Sequence, residues 1–144
     1  MPSILEGLRR LEYRGYDSAG IAVLNQGTMD RRRAAGKIAK LENELRKKPL
    51  DGNTGIGHTR WATHGVPNVV NAHPHVSGSV SVVHNGIIEN HKQLREELVS
   101  LGFAMETETD TEVAAHLVKY YYDQGLTPEE IMRAIIDRLS GAYA

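Results

Sequence analysis

Segments that favour β-strands alternate along this chain with segments of helical periodicity. The strand candidates are short, apolar and partly β-branched, and they cover 19–24, 54–59 and 79–84, with 28–35 as the hairpin partner of the first across a Gln26-Gly27 turn. The helix candidates carry apolar residues at intervals of three and four, and they cover 3–13, 37–48, 91–101, 109–123 and 127–141. Elements of both types predict an α/β or α+β domain.

Two of the predicted helices begin with a capping-box pattern. Thr127 precedes Pro128, and Glu130 follows three positions after the threonine, so that both side chains can bind free backbone N–H groups. The spacing of Thr109 and Glu112 predicts the same arrangement at the preceding helix.

The composition is that of an ordinary globular domain and excludes several classes of protein. A chain of 144 residues suits one domain, and a formal net charge of -1 gives no basic surplus for nucleic acid. No apolar stretch approaches the ~20 residues that a membrane helix needs, and residues 1–4 show no signal-peptide pattern, so we expect a cytoplasmic protein with no membrane partner.

Three consecutive arginines at 31–33 are predicted to form a solvated face. The sequence contains no cysteine, which excludes disulfides, thiolate metal sites and a cysteine nucleophile among these residues.

Residues 60–75 are rich in His, Asn, Gly and Pro, and they predict a long functional loop. At its start, Arg60 could hold a carboxylate through two parallel hydrogen bonds and Trp61 could wall off a pocket. A structural ion pair and a core tryptophan explain the same two residues. The histidines in and around the loop also allow a zinc-type site, and these are His58, His64, His73, His75 and His84. Because no carboxylate lies among them at ligand spacing, we expect no metal and no other cofactor.

Three further positions carry polar groups that could contact a ligand. Asn85-Gly86 predicts a hairpin turn, but the asparagine amide and the glycine N–H could instead donate to one developing oxyanion. Asp110 suits the first turn of a helix, where an ionised carboxylate could also bind an ammonium group. Arg14, beside a predicted helix stop, is a candidate anion contact. Together with Arg60, these groups fit an α-amino acid whose side-chain carbonyl is attacked.

Five runs of this sequence resemble the N-terminal glutaminase domain of the glucosamine-6-phosphate synthase family, the glutamine–fructose-6-phosphate aminotransferases. The first is LEGLRRLEYRGYDSAG at 5–20, and the others lie at 58–65, 71–75, 83–90 and 108–112. The resemblance covers nearly the whole chain, and other class II glutamine amidotransferases share only thinner versions of these motifs.

The resemblance implies an α+β fold, the four-layer αββα sandwich of N-terminal nucleophile hydrolases with antiparallel sheets between helical layers. It implies that glutamine is the substrate and that the released ammonia passes to a sugar isomerase domain, which makes glucosamine 6-phosphate from fructose 6-phosphate. It also implies roles for eight residues. Asn85 and Gly86 form the oxyanion hole, and Arg60 binds the α-carboxylate in a pocket shaped by Trp61, Thr63 and His64. Asp110 binds the α-ammonium, and Arg14 lies near the nucleophile.

The sequence departs from the family pattern at the nucleophile. Family members begin with a Cys-Gly-Ile-Val-Gly strand whose cysteine attacks the amide, and Ser3 is no equivalent because no strand leads into it. Loss of a hydrolase nucleophile typically lowers the rate on the order of a millionfold. We therefore expect a partial domain over 1–144 that lacks its first and later strands and the isomerase domain, is inactive alone, and self-associates through unpaired strand edges. The alternatives are a non-catalytic amino-acid-binding or assembly module and, less favoured, a histidine-dependent metallohydrolase.

Overall fold

The computed structural model describes residues 2–144, and Met1, part of the segment inspected for a signal peptide, lies outside this range. The helices are α1 (Pro2–Arg10), α2 (Ile38–Lys47), α3 (His91–Ser100), α4 (Asp110–Asp123) and α5 (Pro128–Arg138), with a 3₁₀ turn at Glu12–Arg14. The strands are β1 (Ser18–Asn25), β2 (Thr28–Ala35), β3 (Thr54–Arg60), β4 (His75–Ser77), β5 (Val80–Val82), β6 (Gly86–Ile88) and β7 (Gly141–Tyr143). A helix with the length and hydrophobicity of a transmembrane span is absent from this range.

All strand pairs of the described chain are antiparallel, which confirms the α+β prediction. The central sheet has the order β2-β1-β3, while β4 pairs with β5 and β6 pairs with β7. Gln26 and Gly27 both have positive φ and form the β1–β2 turn, as predicted. The resemblance implies two sheets, whereas strand pairing within residues 2–144 forms three, because β4 to β7 are only three residues long and pair two by two.

The central sheet has one apolar face and one polar face. Its apolar face packs against α1 and α2 in a core formed by Leu8, Ala19, Ile21, Val23, Ala34, Ile38, Leu41 and Leu50. A second apolar region joins α3, α4 and α5 through Leu94, Leu98, Val113, Leu117, Ile131 and Ile135. Because side chains alternate along a strand, the register puts Ser18, Gly20, Arg31, Arg33, His58 and Arg60 on the other face, which we call the polar face. The candidate site lies on this face.

One capping box forms and the other does not. Thr127 Oγ1 accepts from the Glu130 N–H while Glu130 Oε2 accepts from the Thr127 N–H at 2.8 Å, as predicted. At α4, however, the Thr109 side chain makes no cap hydrogen bond. Its hydroxyl is 3.1 Å from His75 Nε2, so a tertiary contact has replaced the local one. The Glu112 carboxylate accepts instead from the backbone of the preceding turn, where the Glu106 N–H donates at 2.7 Å.

The pairing of β6 with β7 overrides two local predictions. α5 ends at Arg138 rather than at Gly141, because Gly141 begins β7. The hairpin turn predicted at Asn85-Gly86 is wrong, since Gly86 begins β6 and lies opposite Tyr143. A Cβ at Gly86 would lie 2.1 Å from the Ala142 carbonyl oxygen, so the close approach of β7 requires glycine there.

The arginine run is also different from its prediction as a solvated face. Arg33 Nη1 donates to the carbonyls of Val70 and Ala72, each at 2.8 Å, and Arg31 Nη1 donates to the Pro74 carbonyl at 3.2 Å. Burial lowers the pKa of Arg33 to about 10. The two guanidinium groups therefore fasten the 61–74 loop to the polar face.

The packing of this loop against the sheet can be tested by a substitution at Gly20. A Cβ at Gly20 would meet the His73 carbonyl oxygen at 2.1 Å and the Arg32 carbonyl oxygen at 3.0 Å. We expect Gly20→Ala to lower the free energy of unfolding in urea by about 1–3 kcal/mol, because neither backbone can move freely.

The matched control is Gly7→Ala on α1, where an added Cβ would meet nothing within 4 Å. Alanine favours the helix over glycine, so this variant should gain up to about 1 kcal/mol. If Gly20→Ala unfolds at the same urea concentration as the unmodified chain, the loop is not packed as described.

Candidate functional site

A cavity of about 440 Å³ opens between the last residue of β3, the first residue of β6 and the start of α4. Its lining includes all eight residues that the sequence singled out, namely Arg14, Arg60, Trp61, Thr63, His64, Asn85, Gly86 and Asp110. These residues come from four separate parts of the chain, so only the folded domain brings them together.

Arg60, the last residue of β3, supplies a buried cation. Its Nη2 donates to the backbone carbonyls of His64 and Gly65, the second at 3.2 Å. Its Nη1 lies 3.6 Å from Asp17 Oδ1 and has no hydrogen-bond partner within residues 2–144. Burial lowers the pKa of Arg60, and the carboxylates of Asp17 and Asp110 oppose that effect. Nη1 is therefore a buried donor without a hydrogen-bond partner in the described residues.

Asp110 supplies the opposite charge at the first turn of α4. It is buried, and its Oδ2 accepts from the Ile88 N–H at 2.9 Å. His64 Nδ1 is 3.9 Å from the same oxygen. The helix N-terminus favours a negative charge at this place, so the carboxylate suits a cationic ligand group.

Backbone geometry directs the Gly86 N–H away from β7. The Asn85 N–H donates to the Ala144 carbonyl at 2.9 Å, and the Glu89 N–H donates to the Ser140 carbonyl at 2.8 Å. Alternate N–H groups of a strand point to opposite edges, so the N–H groups of Gly86 and Ile88 face away from β7. Since the Ile88 N–H reaches Asp110, the Gly86 N–H lies on the same edge, beside the cavity.

The remaining predicted residues line the cavity at its rim. Trp61 is 72% exposed, so the alternative of a core tryptophan is wrong. Thr63 is exposed and His64 half-buried, with their side chains 3.4 Å apart. Arg14 ends the 3₁₀ turn on the side of the cavity where a Cβ added at Gly15 would lie 3.5 Å from the Trp61 ring.

Buried histidines and threonines form a polar layer between the polar face and α4. His75 Nε2 is 3.1 Å from Thr109 Oγ1, while Thr111 Oγ1 lies 3.3 Å from His73 Nε2 and 3.0 Å from His84 Nδ1. Burial lowers the pKa of all three imidazoles, that of His75 to about 3. Residues 2–144 contain no group of three or more His, Cys, Asp or Glu side chains arranged to hold a metal ion.

Two groups that support the site had no role in the sequence-based prediction. Asp17 receives the Ala62 N–H on its carboxylate and donates its own N–H to the Arg60 carbonyl at 2.8 Å. Asn71 is buried, and its Nδ2 donates to the Val66 carbonyl and to Glu108 Oε2, each at 3.0 Å. Both residues stood in motifs, but Ala62 and Glu108 are distant from them in sequence, and no local signal marks such pairs.

A cation, an anion and amide groups therefore surround one small cavity on an antiparallel α+β scaffold. Residues 58–144 match the family model described as the glutamine amidotransferase domain. This chain belongs to that family.

Comparison with individual proteins agrees with the family and with the fold. The chain is 58% identical over 143 residues to the glutamine–fructose-6-phosphate aminotransferase (isomerizing) of Mesorhizobium japonicum and 60% identical over 144 residues to that of Gluconobacter oxydans. Each match covers 99% of this chain and 24% of the relative, so the chain spans about a quarter of their length.

Solved structures show the same relationship. Glutamine phosphoribosylpyrophosphate amidotransferase from B. subtilis matches 99% of this chain and 31% of its own with a TM-score of 0.78 at 30% identity. A structure described as the allosteric regulatory enzyme of purine biosynthesis matches 98% of this chain and 31% of its own with a TM-score of 0.79 at 30% identity. The fold is therefore that of the N-terminal nucleophile hydrolase glutamine amidotransferases.

The buried imidazoles make stability depend on pH. In the unfolded chain a histidine binds a proton below about pH 6.5, whereas the folded state resists protonation of His58, His73, His75 and His84. The unfolded state thus binds more protons, and the free energy of unfolding should fall as the pH falls below about 6.5, by up to about 1.4 kcal/mol per pH unit for each histidine.

Urea unfolding measured between about pH 8 and pH 5 checks this dependence. His75→Gln, which keeps a hydrogen-bonding group for Thr109 and lies outside the cavity lining, should show a shallower dependence. Equal slopes for the variant and the unmodified chain would contradict the assignment.

Proposed function

We propose that the cavity binds L-glutamine and that this chain supplies the glutamine site of a glutamine–fructose-6-phosphate aminotransferase. The observation that carries the proposal is the convergence of Arg60, Asp110, Asn85 and Gly86 on one cavity. Each of these residues matches one polar part of the ligand.

The α-carboxylate of glutamine is assigned to Arg60. Its Nη1 has no partner among residues 2–144, and a buried donor without a partner gains most from an ionised acceptor. The same Nη1 lies 3.6 Å from Asp17 Oδ1, and Nη2 donates to the backbone carbonyls of His64 and Gly65, so the group is already oriented before a ligand arrives.

The α-ammonium is assigned to Asp110. The Ile88 N–H donates to one oxygen of the carboxylate, which still has lone pairs for further donors. Arg60 and Asp110 together prefer a zwitterion over a ligand that carries a single charge.

The side-chain carbonyl is assigned to the Asn85 amide and the Gly86 N–H. The outward direction of the Gly86 N–H supports this role, since the ladder with β7 does not use it. Two donors aimed at one oxygen would stabilise the oxyanion that forms when the amide is attacked.

The group that attacks the amide is the part of the reaction that these residues do not supply. The sequence contains no cysteine, and the thiolate is the nucleophile that the family resemblance implies. We propose that the 144 residues by themselves bind glutamine without hydrolysing it, which makes them an amino-acid-binding module until a thiol is provided.

The larger context is also part of the proposal. The names of the relatives support an isomerase domain as the partner that would use the ammonia to aminate fructose 6-phosphate. A cytoplasmic location is proposed with it, in keeping with a sequence that has no cysteine for disulfides.

Calorimetric titration with L-glutamine tests the binding site. We expect one glutamine per chain, and binding on the order of tenfold or more weaker for N-acetylglutamine and for the α-carboxamide of glutamine, because each lacks one charge that the cavity pairs. Asp110→Asn should weaken glutamine binding similarly, since it keeps an acceptor for the Ile88 N–H and removes the charge.

Asp123→Asn is the matched control, because Asp123 lies at the opposite end of the same helix and pairs with Lys119 on the surface. It should bind glutamine normally, and the titrated samples should release no ammonia. No binding by the unmodified chain, or equal binding of the two modified ligands, would refute the proposed site.

Self-association is the last element of the proposal. β3 pairs only with β1 within residues 2–144, so one of its edges has backbone groups free to pair with another strand. Sedimentation velocity should show a mass that rises with concentration. A monomer at all concentrations, with every strand amide protected from hydrogen exchange, would contradict this expectation.

A further inference from the structure

Asn85 can act as a donor only if its side-chain amide is turned the right way. An asparagine offers Nδ2–H₂ as a donor and Oδ1 as an acceptor, and only the first can stabilise a carbonyl oxygen. Asn85 is exposed, and His58 is the residue within 2–144 that hydrogen-bonds its side chain, with Nε2 and Oδ1 3.0 Å apart. The tautomer of His58 therefore decides which end of the Asn85 amide faces the cavity.

The His58 ring is held in place by burial and stacking. It lies on β3, is 7% exposed and stacks on His73 with ring centroids 4.4 Å apart. Burial lowers its pKa below the ordinary histidine value, which at neutral pH favours the neutral ring with a single N–H. That hydrogen is on either Nε2 or Nδ1.

The surroundings of Nδ1 favour the Nε2–H tautomer. Nδ1 of His58 is buried and makes no well-aligned hydrogen bond in the described residues, although the His84 backbone lies within reach of the ring. A proton there would be a buried donor without a well-aligned acceptor, which is costly. With the proton on Nε2, the ring donates to Asn85 Oδ1 and leaves Nδ2 for a ligand.

We propose that His58 is a positioning residue whose Nε2–H donates to Asn85 Oδ1 and thereby turns the Asn85 Nδ2–H₂ group toward the side-chain carbonyl of the ligand. The proposal rests on glutamine as the ligand of this cavity. His58 also lines the cavity, and the contact assigned to it here is the one with the Asn85 side chain.

Nitrogen NMR of the imidazole in the ligand-free chain tests the tautomer directly. We expect protonated Nε2 and bare Nδ1 for His58 above its pKa. A proton on Nδ1 would overturn the proposal whether or not glutamine binds.

Glutamine titration of variants tests the consequence for binding. His58→Phe keeps a stacking ring and removes the donor, and it should bind glutamine on the order of tenfold more weakly. His58→Gln restores a donor and should bind within about threefold of the unmodified chain. In the Asn85→Ala background, His58→Phe should cause no further loss, because the two residues act through one contact.

His116→Gln is the matched control, since His116 is 8% exposed, hydrogen-bonds the Ser77 hydroxyl at 2.8 Å and lies outside the cavity lining. It should alter stability without changing glutamine affinity. Normal binding by His58→Phe would overturn the positioning role and leave the glutamine site intact. Failure of the unmodified chain to bind glutamine would refute the proposed function, while the tautomer would still decide the orientation of Asn85.

Discussion

The two halves of the site are held together by hydrogen bonds. These hydrogen bonds join the buried histidines within residues 73–84 to the threonines at the start of α4. Imidazole and hydroxyl groups are costly to bury without partners, so Thr109 and Thr111 must stay opposite these rings. Asp110 lies between the two threonines, and its position is thereby set relative to the central sheet. Arg60 is placed independently, by β3 and by Asp17.

The two charges of the cavity are held by different means. Arg60 retains Nη1 without a hydrogen-bond partner while Nη2 donates to two backbone carbonyls, whereas Asp110 combines a backbone hydrogen bond with the favourable end of a helix. A site of this kind is ordered before a ligand arrives, which limits the entropy lost on binding. The family match covers the residues from His58 onward, which include seven of the eight predicted site residues, all except Arg14.

Much of the secondary structure followed from local pattern, because strands and helices with strong periodicity depend on neighbours in sequence. β2 covers the residues predicted for it, and the cap at Thr127 formed as its spacing indicated. Predictions failed where a distant group competed: Thr109 turned to His75, Arg33 bound two loop carbonyls, and β7 took Gly86 into a strand. No window of neighbouring residues contains those partners.

The sequence by itself determined the chemical inventory of these 144 residues, which includes a cation, an anion and an asparagine–glycine pair but no thiol. The tertiary structure decided that these groups share one cavity, that the Gly86 N–H points away from β7 and that His58 supports Asn85. Residue type is a property of each position, whereas the direction of an N–H or an amide depends on contacts between residues far apart in the chain.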